Sequence, residues 1–146
     1  MQLKMKSSQK ITKVQLNMDS DHSNSFLGIV SSDPDYKLSL QINKKLNVNL
    51  QNDKPVITLG KNGYKSTFSR FSDLKTRPEK TLHLVSNRHE SDFLIKKMKK
   101  LDYLLQISSP DDEDIEKIAA RLREISSITA VFVLRLSDVG KEIYSI

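Results

Sequence analysis

Apolar and polar positions are most sharply ordered between Leu101 and Leu136. Leu101, Tyr103, Leu105 and Ile107 alternate with Asp102, Leu104, Gln106 and Ser108, so one face is uniformly apolar at the two-residue period of a strand. Ser109-Pro110-Asp111-Asp112 then supplies a capping oxygen, a proline for the first helical position and carboxylates where free N–H groups and the helix dipole favour negative charge. Ile115, Ile118, Ala119, Leu122 and Ile125 recur at helical spacing, with Glu116, Lys117, Arg121 and Arg123 largely off that stripe. Glu113 and Lys117 stand four apart, acid first, the orientation that lends a helix surface slight support. The run Ala130-Val131-Phe132-Val133-Leu134 is β-branched and aromatic and too short for a second helix, which predicts a buried strand. The unit is strand, helix, strand, and a crossover of this kind predicts parallel strands, a right-handed connection and a helix packed dry side down on their sheet.

Upstream the pattern is more varied. Val14, Leu16 and Met18 alternate with polar residues and predict a short strand, followed by a polar turn over 19–25. Phe26-Leu27-Gly28-Ile29-Val30 is a compact interior strand that can form a hairpin with the first. Asp33-Pro34 reads as a helix cap followed by proline, with Leu38, Ile42 and Leu46 on one helical face and Lys44-Lys45 at the C-terminal end. Tyr36, Leu38, Leu40 and Ile42 also alternate, but the Asp-Pro start and Lys-Lys finish favour the helix. Leu46 to Leu50 alternates as a strand, and Val56 to Leu59 forms another, ending in a Gly60-Lys61-Asn62-Gly63 turn. Tyr64 to Leu74 predicts a strand with an exposed side, Arg77-Pro78-Glu79 a turn, and Leu82 to Val85 a further strand. The middle of the chain is an antiparallel meander.

The expected fold class is α+β: a mixed, mainly antiparallel sheet with two helices on one face, a ferredoxin-like sandwich with extra strands. The 146 residues make one domain, with 1–10 frayed and 139–146 a tail or short helix.

Composition narrows the setting. There is no cysteine, which removes disulfides and thiolate chemistry and fits a reducing cytoplasm. No apolar run approaches the roughly 20 residues that span a bilayer. The terminus Met1 to Ser8 has positive charge but no apolar core behind it, so a secretory signal is not expected. Twenty-four basic residues against eighteen acidic ones raise the expectation of an anionic partner without identifying it.

At Ile95-Lys96-Lys97-Met98-Lys99-Lys100-Leu101-Asp102-Tyr103 the chain resembles the bacterial IPExxxVDY family, named for its own pattern. Ile95, Asp102 and Tyr103 match, while Lys96 and Lys97 stand for the proline and glutamate and Leu101 for the valine. Leu27-Gly28-Ile29, then Asp35-Tyr36-Lys37-Leu38 and Asn43-Lys44, and Leu84-Val85-Ser86-Asn87-Arg88 are similar in order and spacing, so the resemblance covers nearly the whole chain. It implies a small bacterial protein and brings no catalytic residue or cofactor with it. At Lys96 and Lys97 an acidic position has become part of a basic run.

Candidate chemistry is sparse. His22, His83 and His89 fall in no metal-ligand spacing, and His83 reads as a core or edge histidine. No Gly-x-Ser-x-Gly elbow or glycine-rich phosphate loop is present. The acidic run Asp111 to Asp114 can offer oxygen ligands to a cation, but first-turn helix carboxylates explain it. Lys96, Lys97, Lys99 and Lys100, with Arg88 close before them, are the candidate anion or nucleic-acid contacts; the plainer reading is a solvated loop or turn. No RNA-recognition aromatic platform is visible on any strand. Asp102 and Tyr103 read as structural, one capping a turn and the other packing.

The expectation is a cytoplasmic, non-catalytic binding or adaptor domain, without cofactor, that meets an unidentified protein through an exposed sheet face or edge. An RNA- or ribosome-associated factor using the basic cluster with the N-terminal lysines comes second. A small-ligand sensor, by analogy of fold, comes third. Self-association is open under each reading.

Overall fold

The structure, a computed structural model, describes residues 24–60, 62–108, 112–135 and 137. The elements run β1 (Asn24–Ser31), α1 (Asp35–Leu46), β2 (Gln51–Leu59), β3 (Lys65–Asp73), β4 (Leu82–Ser86), β5 (Arg88–His89), β6 (Asp92–Phe93), β7 (Tyr103–Ser108), α2 (Asp112–Arg123) and β8 (Ile128–Leu134). Six strands form one sheet in the order β2-β3-β4-β7-β1-β8, and β5 and β6 pair as a small ribbon. Every pairing is antiparallel. Among the described residues the fold is α+β with two helices, as the hydrophobic pattern implies.

β7 and β8 are both antiparallel to β1, which lies between them, so they run parallel to each other without touching. The strand-helix-strand unit is therefore split by β1. Leu38, Ile42 and Leu46 of α1 and Ile115, Ala119 and Leu122 of α2 pack with Leu27, Ile29, Leu84, Leu105 and Ile107 in one buried cluster, which puts both helices on one face. A second cluster lies on the opposite face, where Phe26, Val56, Phe68, Val85 and Leu104 meet Leu94, Ile95 and Leu101. Among the described residues the sheet is covered on both sides, the second time by the segment holding Leu94, Ile95 and Leu101 rather than by a helix.

Several local expectations shift, each for a physical reason. Helix α1 is present, but its N-cap residue is Pro34, with no side-chain cap; the Asp33 carboxylate instead accepts from Gln41 Nε2 at 2.6 Å. The expected strand at 46–50 is not formed. Asn47 ends α1 in the left-handed conformation at φ 57°. Asn43 then takes both backbone groups of Leu50, accepting from its N–H at 2.7 Å and donating to its carbonyl at 3.1 Å. Polar side chains thus occupy the backbone that a ladder would need, and β2 begins at Gln51. β3 is an interior strand, with Phe68 buried on one face and Phe71 on the other, not a strand with an open side. β7 starts at Tyr103, and Leu101 turns onto the second face against Gly28; a Cβ there would lie 2.6 Å from Leu101 Cδ1.

The largest correction concerns β8. It is an edge strand, not a buried one: Phe132 and Val133 are 50% and 45% exposed, and only Ile128 and Val131 are buried. Lying outermost, it has a neighbour on one side only among the described residues. The strand expected at Val14 to Met18, its hairpin, the Ser109-Pro110-Asp111 helix start and the tail at 139–146 lie outside the described residues. No helix among the described residues is long and apolar enough to cross a membrane.

Leu122 is fully buried between α2 and the sheet. Leu122→Asp, which forces a charge into that seam, is expected to remove several kcal/mol of stability, on the order of the whole folding free energy of a small domain. Loss of the cooperative transition on urea titration is the expected result, and an unchanged midpoint would contradict the packing.

Candidate functional site

The segment that covers the second face runs from Asn87 to Asp102 and holds all of the Ile95–Tyr103 stretch but its last residue. Its anchor is Asn87, 0% exposed. Asn87 Nδ2 donates to the carbonyls of Met98 and Leu101, both at 2.9 Å, and Oδ1 accepts from Ile95 N at 2.8 Å. The Asn87 backbone N–H reaches Asp102 O at 2.8 Å, and its carbonyl accepts from Leu94 N at 2.9 Å. One side chain and its peptide groups thereby satisfy the polar backbone of a loop that must lie against an apolar sheet, where unmet groups are costly. Ile95 and Leu101 go into the core below.

Asp102 and Tyr103 fasten the same segment to the start of α1. Asp102 Oδ2 accepts from Ser31 N at 2.9 Å, and Oδ1 pairs with Arg88 Nε at 2.7 Å. Tyr103 packs in the helix-side core and its hydroxyl donates to Asp33 O at 2.5 Å. Burial, helped by the charges of Asp35, Asp102 and Asp33, pushes the phenol up to about 12, so it stays a donor. A groove of about 500 Å³ opens beside Ser31, Arg88, Asp102 and Tyr103, but those polar atoms are already engaged within the chain.

The five candidate cations separate into two groups. Arg88 and Lys99 are drawn to Phe93, with the guanidinium carbon 5.2 Å and the ammonium nitrogen 5.9 Å from the ring centroid, and Arg88 Nη2 also donates to Lys99 O at 3.2 Å. Lys96, Lys97 and Lys100 are exposed on the turn before β7, and among the described residues their side chains meet no acid or acceptor. The sequence cluster is therefore brought to one loop, with two members held by the fold and three projecting.

A second polar group lies on the sheet itself. The register aligns Gln51, Ser72, His83 and Gln106 in one row across β2, β3, β4 and β7, on the same face as the loop cover. Ser72 Oγ and His83 Nδ1 are 2.6 Å apart. Burial, with the Arg70 charge, pulls His83 below the ordinary imidazole value, outweighing Asp53, so the ring is neutral at neutral pH. Donation from the Ser72 hydroxyl, then the Lys54 amide, lowers Asp53. Among the described residues His83 bonds to Ser72 and to no carboxylate, whereas a nucleophilic triad places the imidazole between serine and acid. Nothing in the sequence marks this row, because residues from four strands meet only through register. His22 and Asp111 lie outside the described residues, Asp114 pairs with Lys80, and no cluster of three His, Asp or Glu that could hold a metal is found among the described residues.

Comparison of the chain with protein-family models and with curated proteins returns no match.

Two measurements test this arrangement. Asn87→Ala leaves the buried Leu101 carbonyl and Ile95 amide unmet and takes one of two donors from the Met98 carbonyl, and is expected to cost ~3 kcal/mol in urea unfolding, while Lys96→Gln leaves the midpoint unchanged within ~0.5 kcal/mol. Asp73 supplies the pH test. Burial raises its carboxyl, but donation from Thr76, Asn49 and Lys75 outweighs this and brings the pKa from 3.8 down to about 2. A depressed folded-state pKa stabilises at pH above 3.8, and that contribution fades as pH falls through about 2. The stability difference between the parent chain and Asp73→Asn is expected to be full at about pH 6 and to shrink steadily below pH 3.8.

Proposed function

We propose that this chain is a cytoplasmic, non-catalytic binding domain that acts by accepting an extended segment of a partner protein along β8. The contrast between the two sheet edges carries the reading. β2 includes Asp53, Lys54 and Pro55, and its pairing with β3 shifts register between Asp53 and Val56, devices that blunt an edge against strand addition. β8 reads Ile-Thr-Ala-Val-Phe-Val-Leu, with no charge or proline across seven residues. Unprotected edges of this kind attract further strands. Phe132 and Val133 point to opposite faces by the alternation of a strand, so an added strand finds an apolar neighbour on each side. Arg123 Nη2 covers the Val131 carbonyl at 2.8 Å, a side-chain contact that an incoming strand displaces or shares.

The order β8-β1-β7-β4, with α1 and α2 on one face, supports reading the core as a ferredoxin-like sandwich, β2 and β3 being the extra strands. The competing RNA reading rests on Lys96, Lys97 and Lys100.

The test is recovery from extract of the source cells with tagged parent chain and tagged Val133→Lys, each with and without nuclease. A protein recovered by the parent in both halves and lost with Val133→Lys, but kept by Leu59→Lys on the other edge, is the expected result. Both positions are solvent-exposed, so the variants should fold. Recovery only without nuclease assigns the chain to RNA, and a concentration-dependent dimer abolished by Val133→Lys assigns β8 to a second copy; either result overturns the proposal.

A further inference from the structure

Between the C-terminal end of α1, the face of α2 and the turn after β3 lies a cavity of about 160 Å³ that none of the preceding functions uses. Its floor is apolar, made by Leu46, Leu82, Ile107 and Ile118, and its rim carries Arg77, Lys80, Lys117 and Arg121 against Asp73 and Asp114. Both carboxylates are spent. Asp114 pairs with Lys80, and Asp73 accepts from Asn49 N at 2.8 Å and from Lys75 N and Thr76 N at 3.0 Å each. Arg77 and Arg121 are exposed and form no ion pair among the described residues. The rim therefore has a cationic surplus above a dry floor.

We propose that this cavity binds a small monocarboxylate with an apolar body, the carboxylate at Arg77 and Arg121 and the body on Leu46, Leu82, Ile107 and Ile118. Three considerations set the ligand class. An apolar cavity of about 150 Å³ is large enough for a benzene-sized body. Guanidinium forks suit a carboxylate or phosphate, and at this rim two fixed carboxylates disfavour the second charge of a phosphate monoester. The walls are also built before the ligand arrives. The Asp73 carboxylate fixes the turn that leads to Arg77, Lys80 N closes that turn on Arg77 O at 2.8 Å, and the Lys80–Asp114 ion pair ties it to α2. The cavity opens over β4 and β7 and not at the outer edge of β8, and the proposal does not depend on strand addition there.

Benzoate is the probe, with benzamide supplying the body without the charge and acetate the charge without the body. Benzoate is expected to raise the Tm and to saturate with a Kd on the order of 1 mM, while the other two at equal concentration do neither. In methyl spectra the benzoate-induced shifts should centre on Leu46, Leu82, Ile107 and Ile118. Arg77→Gln with Arg121→Gln is expected to weaken benzoate at least tenfold, and both sites are exposed enough to leave folding intact. Equal effects of benzoate and acetate would mean surface ion binding only. Equal effects of benzoate and benzamide would mean an unselective apolar cleft. Either of these, or shifts centred away from the cavity, overturns the proposal using the parent chain alone.

Discussion

A sheet with two apolar faces must be covered twice, and among the described residues one of its covers is helical and the other is not. The second is the Asn87–Asp102 segment, whose short β5–β6 ribbon and turns leave other backbone polar groups to be met from outside them. Asn87 resolves that conflict by donating to Met98 and Leu101 and accepting from Ile95, all without exposure to water. With those groups met, Ile95 and Leu101 can enter the core, and Gly28 leaves the space into which Leu101 fits. The remainder of the structure depends on this side chain, because without the cover Phe68, Val85 and Leu104 would face solvent.

The same arrangement decides which polar residues are available for recognition. Asp102, Tyr103 and Arg88 combine charge, hydrogen-bonding capacity and a groove, which alone would suggest a site. Each is committed to holding β7, the start of α1 and the loop cover together. The place of Asp102 and Tyr103 in the Ile95–Tyr103 pattern is explained by folding. The exposed lysines nearby carry charge but no shape, while the cavity beneath Arg77 and Arg121 carries both.

Available surface is likewise unevenly distributed. At one end of the sheet, β2 carries a proline, charges and a register shift. At the other, β8 is uncharged and half exposed. Protection at one edge and its absence at the other distinguishes a surface kept from pairing from one left able to pair.

What the sequence by itself determined was local: the amphipathic helix through Ile115 to Leu122, the helical choice at Leu38, Ile42 and Leu46, and the strands at Phe26, Leu82 and Tyr103. Period and turn chemistry act over a few residues, so they can be read from a few residues. Tertiary structure alone decided that β1 separates β7 from β8, that β8 lies at an edge, and that Leu46 to Leu50 gives up its strand to bonds from Asn43 and Asp73. The Ser72–His83 contact, the role of Asn87 and the cavity rim also belong to that second class. An apolar run has the same spelling in the middle of a sheet or at its margin, because burial is a property of neighbours, and neighbours from distant segments are chosen by the fold.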